Sequence, residues 1–280
     1  MEHKYITLHN NLKIHYYIAR TDEKNPYLVL LHGLGGNITA WKKMIPYFMR
    51  NNFSVIAIDL RGHGNSSNPG KYQDYSLSKL AGDVKSVLNN EKIKKINLVG
   101  HCFGGLVAIK FASAYPKYIT SLIIVSSAYK KPVLQDKRLS FIEKKSEILK
   151  RFLSILIKYR PIATRKSYVD FSMINEWLKK KDIDLFRVYL DVKGTSLKSY
   201  YFYLLMLSDF DLTRNLKKIK KPTLIIHGAR DLIFSVDSAV DMHKKIKKSV
   251  FYSMNAGHIP VLNNHEQLEK VIVHFIKGLK

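Results

Sequence analysis

The sequence is short of several things that usually mark particular classes of protein. It has one cysteine in 280 residues, which excludes an internal disulfide and a cysteine-based zinc site. Acidic residues number 22 against 47 Lys and Arg, too few for the balanced ion-pair networks of thermophilic chains. No window approaches about 18 uninterrupted apolar residues, so no membrane span is expected. The opening residues, Met1 to Tyr5, lack the charged-then-apolar shape of a secretory signal and read directly into a strand, which makes the cytoplasm the expected location. Repeats and low-complexity tracts are absent as well.

What is present is 46 % apolar residues, enough for a sizeable core, and a net charge of +25 carried mainly by lysine. The basic residues read as scattered (Lys42, Lys79, Lys110, Lys179, Lys220, Lys244), without the interleaved aromatics of a base-stacking platform. Specific nucleic-acid binding is therefore not expected. The lysine excess suits anionic substrates or peripheral contact with an anionic membrane.

Short apolar runs alternate with amphipathic stretches. Leu12 to Ala19, Tyr27 to Leu31, Phe53 to Leu60, Ile96 to Val99, Leu122 to Val125, Thr223 to Ile226 and Val250 to Tyr252 read as strands. Continuous apolar runs of this length fit parallel strands covered on both faces. Helical spacing predicts helices over Thr39 to Asn51, Ser76 to Asn89, Gly105 to Ala114 and from His265 onward. The rhythm breaks between Tyr129 and Ser208, a basic, aromatic stretch with helical patterning (Phe152, Trp177, Tyr200 to Tyr203). The expected organisation is a core of residues 1–128, a helical cap of 129–208 with some apolar side chains lining an acyl pocket, and a resumed core of 209–280.

A lone cysteine is ordinarily a small buried apolar residue. Cys102 is different because of its neighbours: Gly100-His101-Cys102-Phe103-Gly104-Gly105 follows a strand and opens a helix. A sharp strand-to-helix turn strains its central residue, needs small neighbours, and presents the side chain at the sheet edge beside a helix N-terminus. Four further segments follow strands. They are His32-Gly33-Leu34-Gly35-Gly36, Asp59-Leu60-Arg61-Gly62-His63-Gly64-Asn65-Ser66, and the pair His227-Gly228-Ala229-Arg230-Asp231 and Asn255-Ala256-Gly257-His258.

In order and spacing these motifs resemble the α/β-hydrolase superfamily, over nearly the whole chain. The resemblance implies an eight-stranded, mostly parallel sheet flanked by helices, with a helical cap after strand 6. It implies a Cys102–His258–Asp231 triad in which His258 is the base, Asp231 orients it, and the backbone N–H groups of Leu34 and Phe103 form an oxyanion hole. Asp59, Arg61 and His32 are expected to brace their own loops, and His101 to pack beside the elbow. Asp209 and Asp211 precede the seventh strand and are the weaker candidates for the acid.

Most members of the superfamily carry serine where this chain has Cys102. The leading expectation is a carboxylic ester hydrolase working through an acyl-thioester on short-to-medium apolar acyl esters, thioesters or lactones. The alternatives are an acyltransferase using the same acyl-enzyme, a weakened serine-type enzyme, and a ligand-binding member without activity. Dienelactone hydrolases and polyhydroxyalkanoate synthases of this fold also use a thiol. The former are more compact and the latter longer, so lidded esterases are the nearer resemblance. No metal or organic cofactor is implied.

Overall fold

The computed structural model describes residues 2–9, 11–131, 166 and 193–279. Eight strands form one sheet: β1 Glu2–Thr7, β2 Lys13–Ala19, β3 Tyr27–Leu31, β4 Ser54–Ile58, β5 Ile96–His101, β6 Ile119–Val125, β7 Thr223–Gly228 and β8 Ser249–Met254. Their order is β1-β2-β4-β3-β5-β6-β7-β8. The β1 and β2 strands form an antiparallel hairpin and β2 meets β4 antiparallel. From β4 to β8 every pairing is parallel.

The described helices are α1 Ile45–Arg50, α2 Leu77–Asn90, α3 Phe103–Ala114, α4 Leu197–Leu207, α5 Thr213–Leu216, α6 Val236–Lys245, α7 Pro260–Asn263 and α8 His265–Lys277. None is long and apolar enough to cross a membrane. They cover both faces of the sheet, which is why the central strands β3 and β4 are buried and apolar at nearly every position. Along β3, Val29 and Leu31 join α2 and α3 in one core through Leu80, Val84 and Leu106. Leu28 and Leu30 point the other way, to Trp41, Phe48 and the Leu268–Ile272 stripe of α8.

Four elements differ from the sequence expectation. Thr39 to Asn51 is not one helix: a 3-10 turn, Ile38–Trp41, is followed by the separate α1. Asn37 ends the extended chain by accepting the Thr39 N–H at 3.0 Å. Pro46 falls in the first turn of α1, where a missing N–H costs nothing. Strand β4 stops at Ile58, because Asp59 turns its carboxylate to the loops beyond. Helix α3 starts two residues early, at Phe103, directly behind the elbow. Helix α6, capped by Ser235, is an addition that the patterning did not single out.

Most of the expected cap, 132–165 and 167–192, lies outside the described residues. On either side of it, Lys130 and Asp211 form an antiparallel bridge, with Leu212 N–H donating to Tyr129 O at 2.7 Å. Helix α4 packs Tyr203, fully buried, against Tyr75 and Phe103, and its hydroxyl donates to Arg61 O at 2.6 Å.

Candidate active site

Cys102 sits between β5 and α3 with φ 50° and ψ −114°, a conformation an L-residue reaches only under strain of about 1–3 kcal/mol. The surroundings hold it there. Cys102 N–H donates to Val125 O at 2.9 Å, and its carbonyl accepts from Gly105 N–H at 2.9 Å and Ser127 Oγ at 2.7 Å. The turn also demands bare backbone. A Cβ on Gly100 would stand 2.3 Å from Gly104 O, and one on Gly104 would stand 2.3 Å from Leu31 O. The glycine pattern around Cys102 is thus the imprint of three strands and a helix meeting at one point.

Asp231 follows β7. Its side chain is fully buried. Oδ1 accepts the N–H groups of Ile233 at 2.8 Å and Phe234 at 3.0 Å, leaving Oδ2 for the Nδ1–H of His258 at 2.9 Å. Burial pushes this carboxyl up, but the hydrogen bonds from His258 and Phe234 outweigh it and hold the group below the usual aspartate range. The acid and histidine loops touch backbone to backbone: Arg230 N–H donates to Ala256 O at 2.9 Å, and a Cβ on Gly228 would stand 2.3 Å from Gly257 O.

His258 completes the line, hydrogen-bonded to Asp231 through Nδ1 and close enough to the Cys102 side chain to interact with it electrostatically. Burial lowers its basicity, yet the Asp231 bond and the Cys102 contact raise it further, to about 9. At neutral pH the imidazole therefore carries its second proton.

The loop after β3 lies against the elbow, since a Cβ on Gly33 would come within 3.3 Å of the Cys102 Cβ. Leu34, half-buried, packs on the core beside it, and Phe103 is the first residue of α3. An N–H at that helix position has no partner within the helix and is available to a ligand. The structure thus brings Cys102, His258, Asp231, Leu34 and Phe103 to one sheet edge. Asp211 does not join them: it accepts the Thr213 N–H at 2.7 Å ahead of β7.

The bracing residues do what their positions suggest. Asp59, wholly buried, accepts from Ile38 N–H at 2.8 Å, Asn65 N–H at 2.8 Å and His15 Nδ1 at 2.7 Å. His32 accepts the Leu60 N–H at 3.0 Å and donates to Gly33 O at 2.8 Å. Arg61 is locked to Asp83, with Nε at 2.6 Å from Oδ2. His101 has a more specific part. Its Nε2 donates to the carbonyl oxygen of His258 at 3.0 Å, and burial with His258 nearby drops its basicity to about 4, so the ring stays neutral and keeps a single N–H for that bond.

One residue of the site escaped the motif reading. Tyr200, from α4, lies over the loop after β3: a Cβ on Gly35 would stand 3.2 Å from its ring and 3.6 Å from its hydroxyl. Burial, and then the neighbouring Cys102, raise its basicity. The aromatic run from Tyr200 to Tyr203 was visible in the sequence, but only the docking of α4 reveals which ring faces the elbow.

A cysteine on a strained turn, beside a histidine held by a buried acid, is an arrangement suited to hydrolytic chemistry. Comparison with known proteins agrees. Residues 26–167 match the α/β hydrolase fold family. The chain is 31 % identical over 256 residues to the pimeloyl-[acyl-carrier protein] methyl ester esterase of Wigglesworthia glossinidia brevipalpis, covering 89 % of this chain and 93 % of that one. It is 25 % identical over 289 residues to epoxide hydrolase 3 of Xenopus tropicalis, covering 99 % and 78 % respectively. Among solved structures, the enol-lactonase from Burkholderia xenovorans LB400 shares the fold with a TM-score of 0.76 at 21 % identity, over 98 % of this chain and 100 % of that one. The esterase from Exiguobacterium antarcticum does so with a TM-score of 0.75 at 22 % identity, over 98 % of each. The chain belongs to the α/β hydrolase family, and it is a hydrolase.

Proposed function

We propose that the protein is a carboxylic ester hydrolase that works through an acyl-thioester on Cys102. The observation that carries this reading is the unbroken line from buried Asp231 through His258 to the side chain of a strained Cys102. The Cys102 sulfur attacks the acyl carbon, and the oxyanion that forms is received by the N–H groups of Leu34 and Phe103. His258, already protonated, gives its proton to the departing alkoxide as the C–O bond breaks, and alcohol leaves. Neutral His258 then takes a proton from water, the hydroxide adds to the thioester, and collapse releases the acid and returns the sulfur beside an imidazolium. Asp231 holds the imidazole in the tautomer and orientation that both half-reactions need.

The nature of the nucleophile separates the chemistries found among the relatives. Attack on an ester gives a thioester, which water cleaves. Attack on an epoxide gives a thioether, which water does not release. An ester-acting relative at 31 % identity supports the first over the second. The partly buried Tyr200 and Leu34 beside the elbow favour apolar acyl groups of short to medium length.

The test is a panel of chromogenic acyl esters of increasing chain length, run on the native chain and on Cys102→Ala. Native turnover with loss of about a thousandfold or more in the variant is expected. Full activity in Cys102→Ala overturns the reading.

A further inference from the structure

The lysines that look scattered in the sequence are gathered by the topology. Parallel strands all begin at the same edge of a sheet, and the stretches that lead into β5, β6, β7 and β8 are basic. They are Lys92-Ile93-Lys94-Lys95, Pro116-Lys117-Tyr118, Lys217-Lys218-Ile219-Lys220-Lys221 and Lys244-Lys245-Ile246-Lys247-Lys248. They contain no Asp or Glu. They also adjoin one another: Ile96 N–H donates to Tyr118 O at 2.8 Å, Leu122 N–H to Pro222 O at 3.0 Å, and Thr223 N–H to Lys248 O at 2.8 Å. The four stretches are therefore one continuous strip, about 15 Å across four strand starts before side-chain reach is added.

The strip is free to act. Lys92, Lys94, Lys95, Lys117, Lys217, Lys218, Lys220, Lys244, Lys247 and Lys248 are exposed. Within the strip, the ion pair among described residues is that of half-buried Lys245 with Asp241 at 2.8 Å. The nearest acid in sequence, Glu91, is turned away and satisfied by Tyr16, Arg20 and Lys4. The strip also has a boundary, because the lead into β3 carries exposed Asp22 and Glu23.

We propose that this strip docks the protein on an anionic phospholipid surface. Every charge in it is a lysine, a point cation without the fork that reads a base edge. Its isoleucines are turned inward, Ile93 at 6 %, Ile219 at 3 % and Ile246 at 1 % exposure, so they are not offered for insertion or stacking. The ring within the strip, Tyr118, is half-buried and donates to Asn89 Oδ1 at 2.6 Å. An outward edge of lysines meets a flat layer of headgroups better than it wraps a nucleic-acid groove. The strip also lies at the opposite ends of the strands that carry Cys102, Asp231 and His258. Strands of six or seven residues put about 20 Å between the two edges, so a docked molecule keeps its reaction cleft open to water.

The experiment is sedimentation of the full chain with vesicles of phosphatidylcholine alone and with about 30 % phosphatidylserine. Binding to the anionic vesicles only, released when salt rises from about 0.1 M to about 1 M, is expected. Replacing Lys217, Lys218, Lys247 and Lys248 together by Gln weakens it at least about tenfold. A charge-matched variant with Lys13, Lys24, Lys71 and Lys79 replaced by Gln binds as the native chain does. Thermal melts of both variants check folding. Failure of the folded native chain to bind overturns the proposal, and so does equal weakening by the two variants, which would make net charge the cause. Displacement from the vesicles by an equimolar DNA duplex overturns it in favour of a nucleic-acid surface.

Discussion

At the residue scale, the chemistry turns on where one proton resides. With His258 raised to about 9 and Asp231 held low, the imidazole is cationic at neutral pH and ready to act as an acid before it acts as a base. Activity of the native chain is therefore expected to fall as pH rises through about 9, the range in which that proton is lost. The same shift is linked to stability. A histidine raised above its ordinary 6.5 adds stability that is complete below that value and disappears as pH climbs through about 9. In Asp231→Asn the foremost cause of the rise is removed. The alkaline limb of a pH–rate profile should then move to lower pH, with kcat reduced about a thousandfold. A variant whose limb stays near 9 would show that Asp231 does not set the histidine.

At the scale of elements, the site is made by close approaches between backbone segments. Gly104 is the sharpest case, since any side chain there enters the carbonyl of Leu31. Gly104→Ala should lower the urea midpoint by the equivalent of at least ~2 kcal/mol with little change in slope. Such contacts explain what was legible in the sequence. Glycines at a turn, apolar runs in strands and the order of the loops all leave local marks, so Cys102, Asp231 and His258 could be chosen before any coordinates. Where local marks conflict, the reading slipped: Trp41 and Phe48 keep helical spacing across a break made by Asn37 and Pro46. Where the cause is tertiary there is no mark at all. Nothing local says that Tyr200 rather than Tyr201 meets Gly35, or that the His101 imidazole reaches the carbonyl of a residue 157 positions away.

At the scale of the whole molecule, the sheet has a working edge and a charged edge. The proposed reaction groups Cys102, Asp231 and His258 follow the carboxyl ends of β5, β7 and β8, while lysines precede their amino ends. The scattered appearance of those lysines in the chain is a property of parallel topology, which separates neighbours by a whole helix crossover. The fold itself hosts several chemistries, as the ester-acting and epoxide-acting relatives show, so the choice between them lies with the nucleophile. Small epoxides should therefore inactivate the protein with one equivalent bound to Cys102, read by intact mass, and should not be turned over. Sustained diol formation would contradict this.

The central claim is a covalent one: that the acyl group of the substrate rests on the Cys102 sulfur. It is tested most directly by mixing the native chain with an activated ester, quenching in acid within the first turnover, and mapping the adduct by peptide mass. The account predicts an added acyl mass on the peptide bearing Cys102, labile to hydroxylamine and absent in Cys102→Ala. Hydrolysis that proceeds with no acyl group on Cys102, or with the group on another side chain, would contradict it.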